Sequence, residues 1–237
     1  MKGLVLFLMF AASANAFSFK TTEEGEQIKW QQPIVDYYIN IEPDSNLNED
    51  DYIEAVQGSF EEWNSVPDNP LYLNYSGLTR DHGTDYTDKN IIFFNRDEWP
   101  ENLEPNFMAS TFVWNNDEGE ILAFDIIINN SFKWGTNGEP YTQDLQNALT
   151  HEIGHVLGLG HSEEDTATMF GTSYTGEKSK RTLDEDDIQG ISYLYSGLTP
   201  GYYQGGSCSI LNGTKSYNFA ILSLMIIITL TRRKRND

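Results

Sequence analysis

The sequence predicts an α+β domain, and three observations carry that expectation. Runs rich in β-branched and aromatic residues occupy 34–40, 71–75, 90–95, 107–114 and 121–130 and read as strands. Apolar residues recur at helical spacing over 46–66, 143–157 and 182–196. The chain is 39% hydrophobic and 13% aromatic, enough to build a core between a sheet and its helices.

Residues 1–16 read as a secretory signal. Lys2 gives the positive start, residues 4–12 the apolar stretch, and Ala14-Asn15-Ala16 a small-x-small cleavage site. Cleavage after Ala16 would make Phe17 the first mature residue. The run 34–40 is a strand. In 46–66, Asn48 or Asp50 can cap a helix whose Ile53, Val56, Phe60 and Trp63 face the core, and Pro67 and Pro70 end it. Residues 71–75 form a second strand, and 76–89 a polar loop in which His82 is given no role. The continuous apolar run Ile91-Ile92-Phe93-Phe94 suits an inner strand. Residues 107–114 and 121–130 form a hairpin about a polar turn.

The next helix carries the chemistry. Thr142 or Asp144 can cap 143–157, and Leu145, Leu149, Ile153 and Val156 make its apolar stripe. His151 and His155 lie four residues apart, so both imidazoles leave one helix face. Glu152 follows the first of them, close enough to reach water at a metal without ligating it. Gly158 can adopt the left-handed backbone that ends a helix, and the turn brings His161 back as a third nitrogen donor. Three of the chain's four histidines fall in this window, H-E-x-x-H-x-x-G-x-x-H. Three imidazoles with an open fourth position is the donor set of catalytic zinc.

Composition narrows the partners. With 36 acidic and 15 basic residues the net charge is −21, which excludes nucleic acid. The acidity reads as solubility, with a preference for basic substrates as the alternative. The one cysteine, Cys208, allows no intrachain disulfide. Residues 198–216 form a glycine-rich polar linker. In 217–237 an apolar run meets the basic stop Arg232-Arg233-Lys234-Arg235, which suggests either a membrane anchor or a processed sorting signal like those of bacteria. Cys208 is then a candidate for cleavage or modification.

The histidine motif, followed by Ser162, Ala167-Thr168-Met169-Phe170 and Tyr174 and then by Leu183-Asp184-Glu185-Asp186-Asp187-Ile188, resembles the matrixin branch of the metzincins, in a form similar to bacterial matrixin-like peptidases. The resemblance implies a catalytic domain over 17–197. Its fold would be a twisted, mainly parallel five-stranded sheet with an antiparallel edge strand, two long helices, a C-terminal helix and a zinc cleft below the sheet edge. It implies one catalytic Zn²⁺ on His151, His155 and His161, Glu152 as general base, and Met169 as the Met-turn under the metal. Ala109, Ser110, Thr111 and Phe112 would align an extended protein or peptide substrate, Tyr174 would line the pocket, and Asp186 or Asp187 would meet the mature N-terminus. The chain is expected to act outside the cell, as a monomer, attached through its C-terminal segment permanently or transiently.

Two departures matter. No cysteine precedes the domain, so thiol latency is not expected, and no histidine lies between His82 and His151, so a second, structural zinc is not expected. Ca²⁺ stays open as a further cofactor, with Asp125 a candidate ligand or a solvated carboxylate. Two rival readings stand beside the peptidase: a non-catalytic surface protein, and a zinc hydrolase acting on something other than a peptide.

Overall fold

The computed structural model describes residues 16–41, 46–96 and 99–200. The signal reading of 1–15, the linker, the C-terminal segment and Cys208 lie outside the described residues. Among the described residues no helix is long and apolar enough to cross a membrane.

Among the described residues seven strands and three α-helices form: β1 Ile34–Asn40, α1 Glu49–Asn64, β2 Tyr72–Thr79, β3 Ile91–Phe94, β4 Ala109–Asn115, β5 Ile121–Ile128, β6 Trp134–Gly135, β7 Gln143–Asp144, α2 Leu145–Val156 and α3 Glu185–Leu194, with a 3-10 turn at Ser179–Arg181 before α3. The main sheet runs β2-β1-β3-β5-β4. All neighbours pair in parallel except β4, which is antiparallel to β5 and forms one edge. This is the mixed five-stranded sheet the sequence led us to expect.

Alternation decides which side chain goes where. Val35, Tyr37 and Ile39 of β1, Ile92 and Phe94 of β3, and Phe124, Ile126 and Ile128 of β5 face the helices and join the main core. Ile91, Phe93 and Ile127 point the other way, under Trp99, Leu103 and Phe112. A central strand buried on both faces must therefore be apolar throughout, as β3 is. From α1, Tyr52, Val56 and Phe60 enter the core, where the Phe60 ring stacks on Tyr37 at 3.6 Å, and Trp63 donates its Nε1–H to the Thr150 carbonyl of α2 at 2.8 Å. Tyr52, fully buried, donates its hydroxyl to the Ile92 carbonyl at 3.1 Å.

Two sequence boundaries moved for local reasons. Asn48, of the two candidate caps, accepts the Asp51 N–H at 2.9 Å and starts α1. The second strand runs on to Thr79, through residues read as loop, because β1 and β2 slip register between Tyr37 and Ile39, and Gly77 opposite takes φ +118°. A short parallel pair, β6–β7, was not foreseen. It places Asp144 at the head of α2.

Asp125 faces away from the helices and is buried at 1% exposure, accepting the Ile91 N–H at 3.0 Å. Asp81, His82, Asp85, Asp88 and Lys89 line the hollow it closes. Burial pushes its carboxyl up to about 7, with the Ile91 N–H opposing. A raised folded-state value means that the folded chain holds the proton longer than the unfolded chain does. Asp125 therefore costs stability increasingly as pH rises from about 4 to about 7, and no further above that. Asp125→Asn keeps the acceptor oxygen and removes the charge. Its stability relative to wild type should grow across that window by on the order of 2 kcal/mol after solvent screening. Urea unfolding of both proteins from pH 4 to pH 8 checks this, and a pH-independent difference would contradict it.

Candidate metal centre and its cleft

Both ends of α2 are fixed by side chains. At the start, Asp144 accepts the Asn147 N–H at 3.0 Å and also pairs with Arg181, Nε to Oδ1 at 2.8 Å and Nη2 to Oδ2 at 2.6 Å. At the end, the Gly158 N–H donates to the His155 carbonyl and the Leu159 N–H to the Gly154 carbonyl, with Gly158 at φ +90°. This is the left-handed reversal that the sequence placed at Gly158. A side chain there would be strained and would also overlap the Ile28 carbonyl, because residues 18–28 cross the helix end at this point. Carbonyls left over at the helix end find distant donors: Trp30 Nε1 to Val156 O at 2.9 Å and the Tyr195 hydroxyl to Leu157 O at 2.9 Å.

The reversal closes the tripod. Ring centroids of His151, His155 and His161 stand 4.9, 5.0 and 5.1 Å apart, nearly an equilateral triangle. One donor atom from each lies within 4.8 Å of the others, and among the described residues no other group of three such side chains does this. Nδ1 of His151 lies 2.7 Å from the Thr168 carbonyl and Nδ1 of His155 lies 2.9 Å from the Leu159 carbonyl. A carbonyl can only accept, so each Nδ1 carries the proton and each Nε2 keeps its lone pair for a metal. Burial, first of all, holds His151 well below the ordinary histidine range and His155 down to about 3; it also lowers His161. The imidazoles are therefore neutral and ready to ligate. A zinc ion fits this donor set.

Met169 packs against α2. It is 2% exposed, and a Cβ on Gly154 would overlap its sulfur, so a glycine inside α2 makes the room it occupies. Asp187 holds that turn in place. Its two oxygens accept the Thr168 N–H at 2.7 Å and the Met169 N–H at 3.0 Å. Asp186 turns instead to the N-terminal segment, accepting the Ala16 and Phe17 N–H groups at 3.0 and 3.1 Å and the Ser162 hydroxyl at 2.7 Å.

The cleft beside the tripod measures about 500 Å³ and includes Ala109, Ser110 and Thr111 in its wall. Thr111 Oγ1 stands 2.7 Å from Glu152 Oε2 and 3.0 Å from its carbonyl oxygen. Burial raises the Glu152 carboxyl above the ordinary value; the Thr111 hydroxyl, Lys20 and Lys180 oppose it. Two of the expected cleft residues are not brought there. The Phe112 ring sits on the far side of the sheet with Phe93 and Ile127, because β4 alternates. Tyr174 is 69% exposed and outside the wall, which Gly171, Thr172 and Ser173 form instead. Sequence reading passed over Lys20, Lys180, Gly154 and the Thr111–Glu152 contact. Only the interior glycine of a metal helix was a visible signal.

Residues 29–196 match the family model for matrixin. Human matrix metalloproteinase-16 is 31% identical over 176 residues, 70% of this chain and 27% of that protein. Human matrilysin is 34% identical over 99 residues, covering 42% of the chain and 35% of the relative. Metalloendoproteinase 2-MMP of Arabidopsis thaliana is 49% identical over 59 residues, 25% of the chain and 15% of the relative. The matched stretches thus span about a third or less of these curated relatives.

Asp187→Asn would point an amide N–H₂ at backbone donors that now meet a carboxylate. The Thr168 carbonyl that orients His151 should then loosen. Zinc affinity measured by chelator competition should fall roughly 10–100-fold. Unchanged affinity would disconnect the turn from the metal centre.

Proposed function

The chain belongs to the matrixin family, and from that premise we propose that it is a zinc-dependent endopeptidase acting on a protein or peptide substrate. The observation that carries the reading is the convergence of three neutral imidazoles on one point with a single carboxylate, Glu152, in the same cleft wall. Nε2 of His151 and His155, with the ring of His161, would hold the ion. Zinc supplies a Lewis acid that acidifies water and polarises a carbonyl.

Proton transfer falls to Glu152. Its Oε2 is braced by the Thr111 hydroxyl, which leaves Oε1 to take a proton from the attacking water and pass it to the departing amine. Its raised carboxyl suits both directions of that transfer, since a base and an acid in turn need a value nearer working pH.

The β4 edge supports strand-like substrate binding. Among the described residues it pairs only with β5, and Ala109, Ser110 and Thr111 line the cleft. A peptide added there would pair through main-chain groups, to which Phe112 contributes its backbone alone. For export, the support is the place of residues 16 and 17. Cleavage after Ala16 would set the Phe17 ammonium against Asp186, which already accepts both N–H groups. Attachment through 217–237 and processing at Cys208 rest on the sequence. Calcium has thinner support, because Asp125 spends one oxygen on Ile91.

Glu152→Gln should keep one zinc per chain by elemental analysis and lose about 10²–10⁴-fold in turnover of an unfolded protein substrate. A metal chelator should abolish wild-type cleavage. Undiminished turnover by the variant sinks the base assignment, and chelator-resistant cleavage sinks the zinc.

A further inference from the structure

A cleft drawn at random from a chain with 36 acidic and 15 basic residues would be acidic. This one is not. Its wall carries two ammonium groups, Lys20 and Lys180, against one carboxylate, Glu152, and that carboxylate is engaged by Thr111. Neither lysine lies in an ion pair with a carboxylate among the described residues.

Lys180 is the deeper of the two, at 3% exposure. The turn Ser179–Arg181 packs against α2 and is pinned there. The Lys180 N–H donates to Asn147 Oδ1 at 2.9 Å, and the Arg181 guanidinium holds Asp144. The side chain therefore has a fixed origin. Its Nζ donates to the Phe170 carbonyl and stands 5.9 Å from the Phe170 ring centroid. An ammonium has three donors, and the others find no protein acceptor among the described residues.

Lys20 is half-buried on the segment that crosses the end of α2, fixed by its N–H to the Gly158 carbonyl at 2.9 Å. Its charge bears on Glu152, His155 and His161. That of Lys180 bears on those groups and on His151 as well. Both cations stand in the wall of the cleft that a bound chain would occupy.

We propose that the cleft selects substrates with a carboxylate side chain close to the scissile bond, received by the Lys180 ammonium, with Lys20 as an outer cation on the approach. This rests on the peptidase reading of the same site. A carboxylate supplies the acceptors that Lys180 lacks, in a charge-assisted hydrogen bond. It also compensates the burial that holds this lysine below its ordinary range. A neutral amide of the same shape recovers part of this, and a cationic side chain is repelled. The net charge of −21 belongs to the rest of the surface and does not set the sign inside the cleft. The proposal is thus opposite in sign to the preference for basic substrates that composition offered as an alternative.

The test uses the zinc-loaded full chain and peptides in which Glu, Gln or Lys stands in turn at each position flanking the bond. kcat/KM is measured for the wild type. Binding is measured by fluorescence anisotropy on Glu152→Gln protein, so that selectivity is read without turnover. At one position or more, Glu should exceed Gln by about tenfold, the worth of one charge-assisted hydrogen bond, with Lys the poorest. Lys180→Arg should keep that ratio and Lys180→Met should bring it close to one. Lys20→Glu, at a half-buried site that leaves the core untouched, should reduce it several-fold even where Lys180→Met fails to fold. Equal handling of Glu and Gln at every position, or a preference for Lys, overturns the proposal and leaves the peptidase reading standing. A ratio that Lys180→Arg loses as fully as Lys180→Met assigns the effect to packing and also overturns it. Glu-selective binding that depends on Lys180, with no cleavage by the wild type, upholds the selectivity and overturns the peptidase reading.

Discussion

The reversal of the chain at Gly158 is the constraint on which the site depends. An α-helix can present two side chains at i and i+4 to one point, but a third on the same face lies a further turn away and points elsewhere. A third ligand must come from chain that has left the helix and returned. Gly158 makes that return possible at φ +90°, and its missing side chain also lets the Ile28 carbonyl close over the helix end. One residue thus ends α2, delivers His161 and seats the segment that carries Lys20. The carbonyls exposed by so abrupt an end are taken up by Trp30 and Tyr195, which come from opposite ends of the domain. The histidine tripod is thus held by contacts between residues far apart in the chain.

A second chain of dependence runs through carboxylates. Asp187 grips the backbone at Thr168 and Met169, and the Thr168 carbonyl fixes the His151 ring. Asp186, its neighbour, holds the chain at residues 16 and 17. Adjacent residues on the first turn of α3 therefore hold two separate segments of the chain. Asp187 faces the core, where burial raises its carboxyl and three backbone N–H groups oppose that rise. It remains an acceptor because those donors replace the water it lost.

Much of this was legible in the sequence, and for a consistent reason. The strands and helices carry their period in the order of their residues, and the His151–His161 window carries its geometry in fixed spacings. Where spacing along one element decides the outcome, reading it suffices. Asn48 as a cap and Gly158 as a stop are of that kind. What the sequence concealed depends on residues far apart in the chain. Thr111 reaches Glu152 across 41 positions. Phe112 was assigned to the cleft with its neighbours, yet strand alternation sends its ring to the far side. Tyr174 follows Met169 closely in sequence, but its side chain stands outside the cleft wall. The strand that ran on past Tyr75 did so through a bulge that only its partner β1 could reveal.

The electrostatics of the cleft follow from the same distinction. Net charge is a sum over the whole chain and says little about a wall built from a few residues of distant origin. Here the wall takes Lys20 from the N-terminal segment, Thr111 from the sheet edge, Glu152 from α2 and Lys180 from the turn before α3. Each is where it is because of an unrelated local constraint: a backbone bridge at Gly158, strand alternation, helix periodicity, and the Arg181–Asp144 pair. Cations meeting imidazoles would be costly were the rings protonated. Burial keeps them neutral, and both lysines lower them further. The nitrogen lone pairs are thus reserved for a metal ion instead of a proton. Burial does most of that work, because it penalises the charged ring, while the two ammonium groups give the wall its positive sign separately.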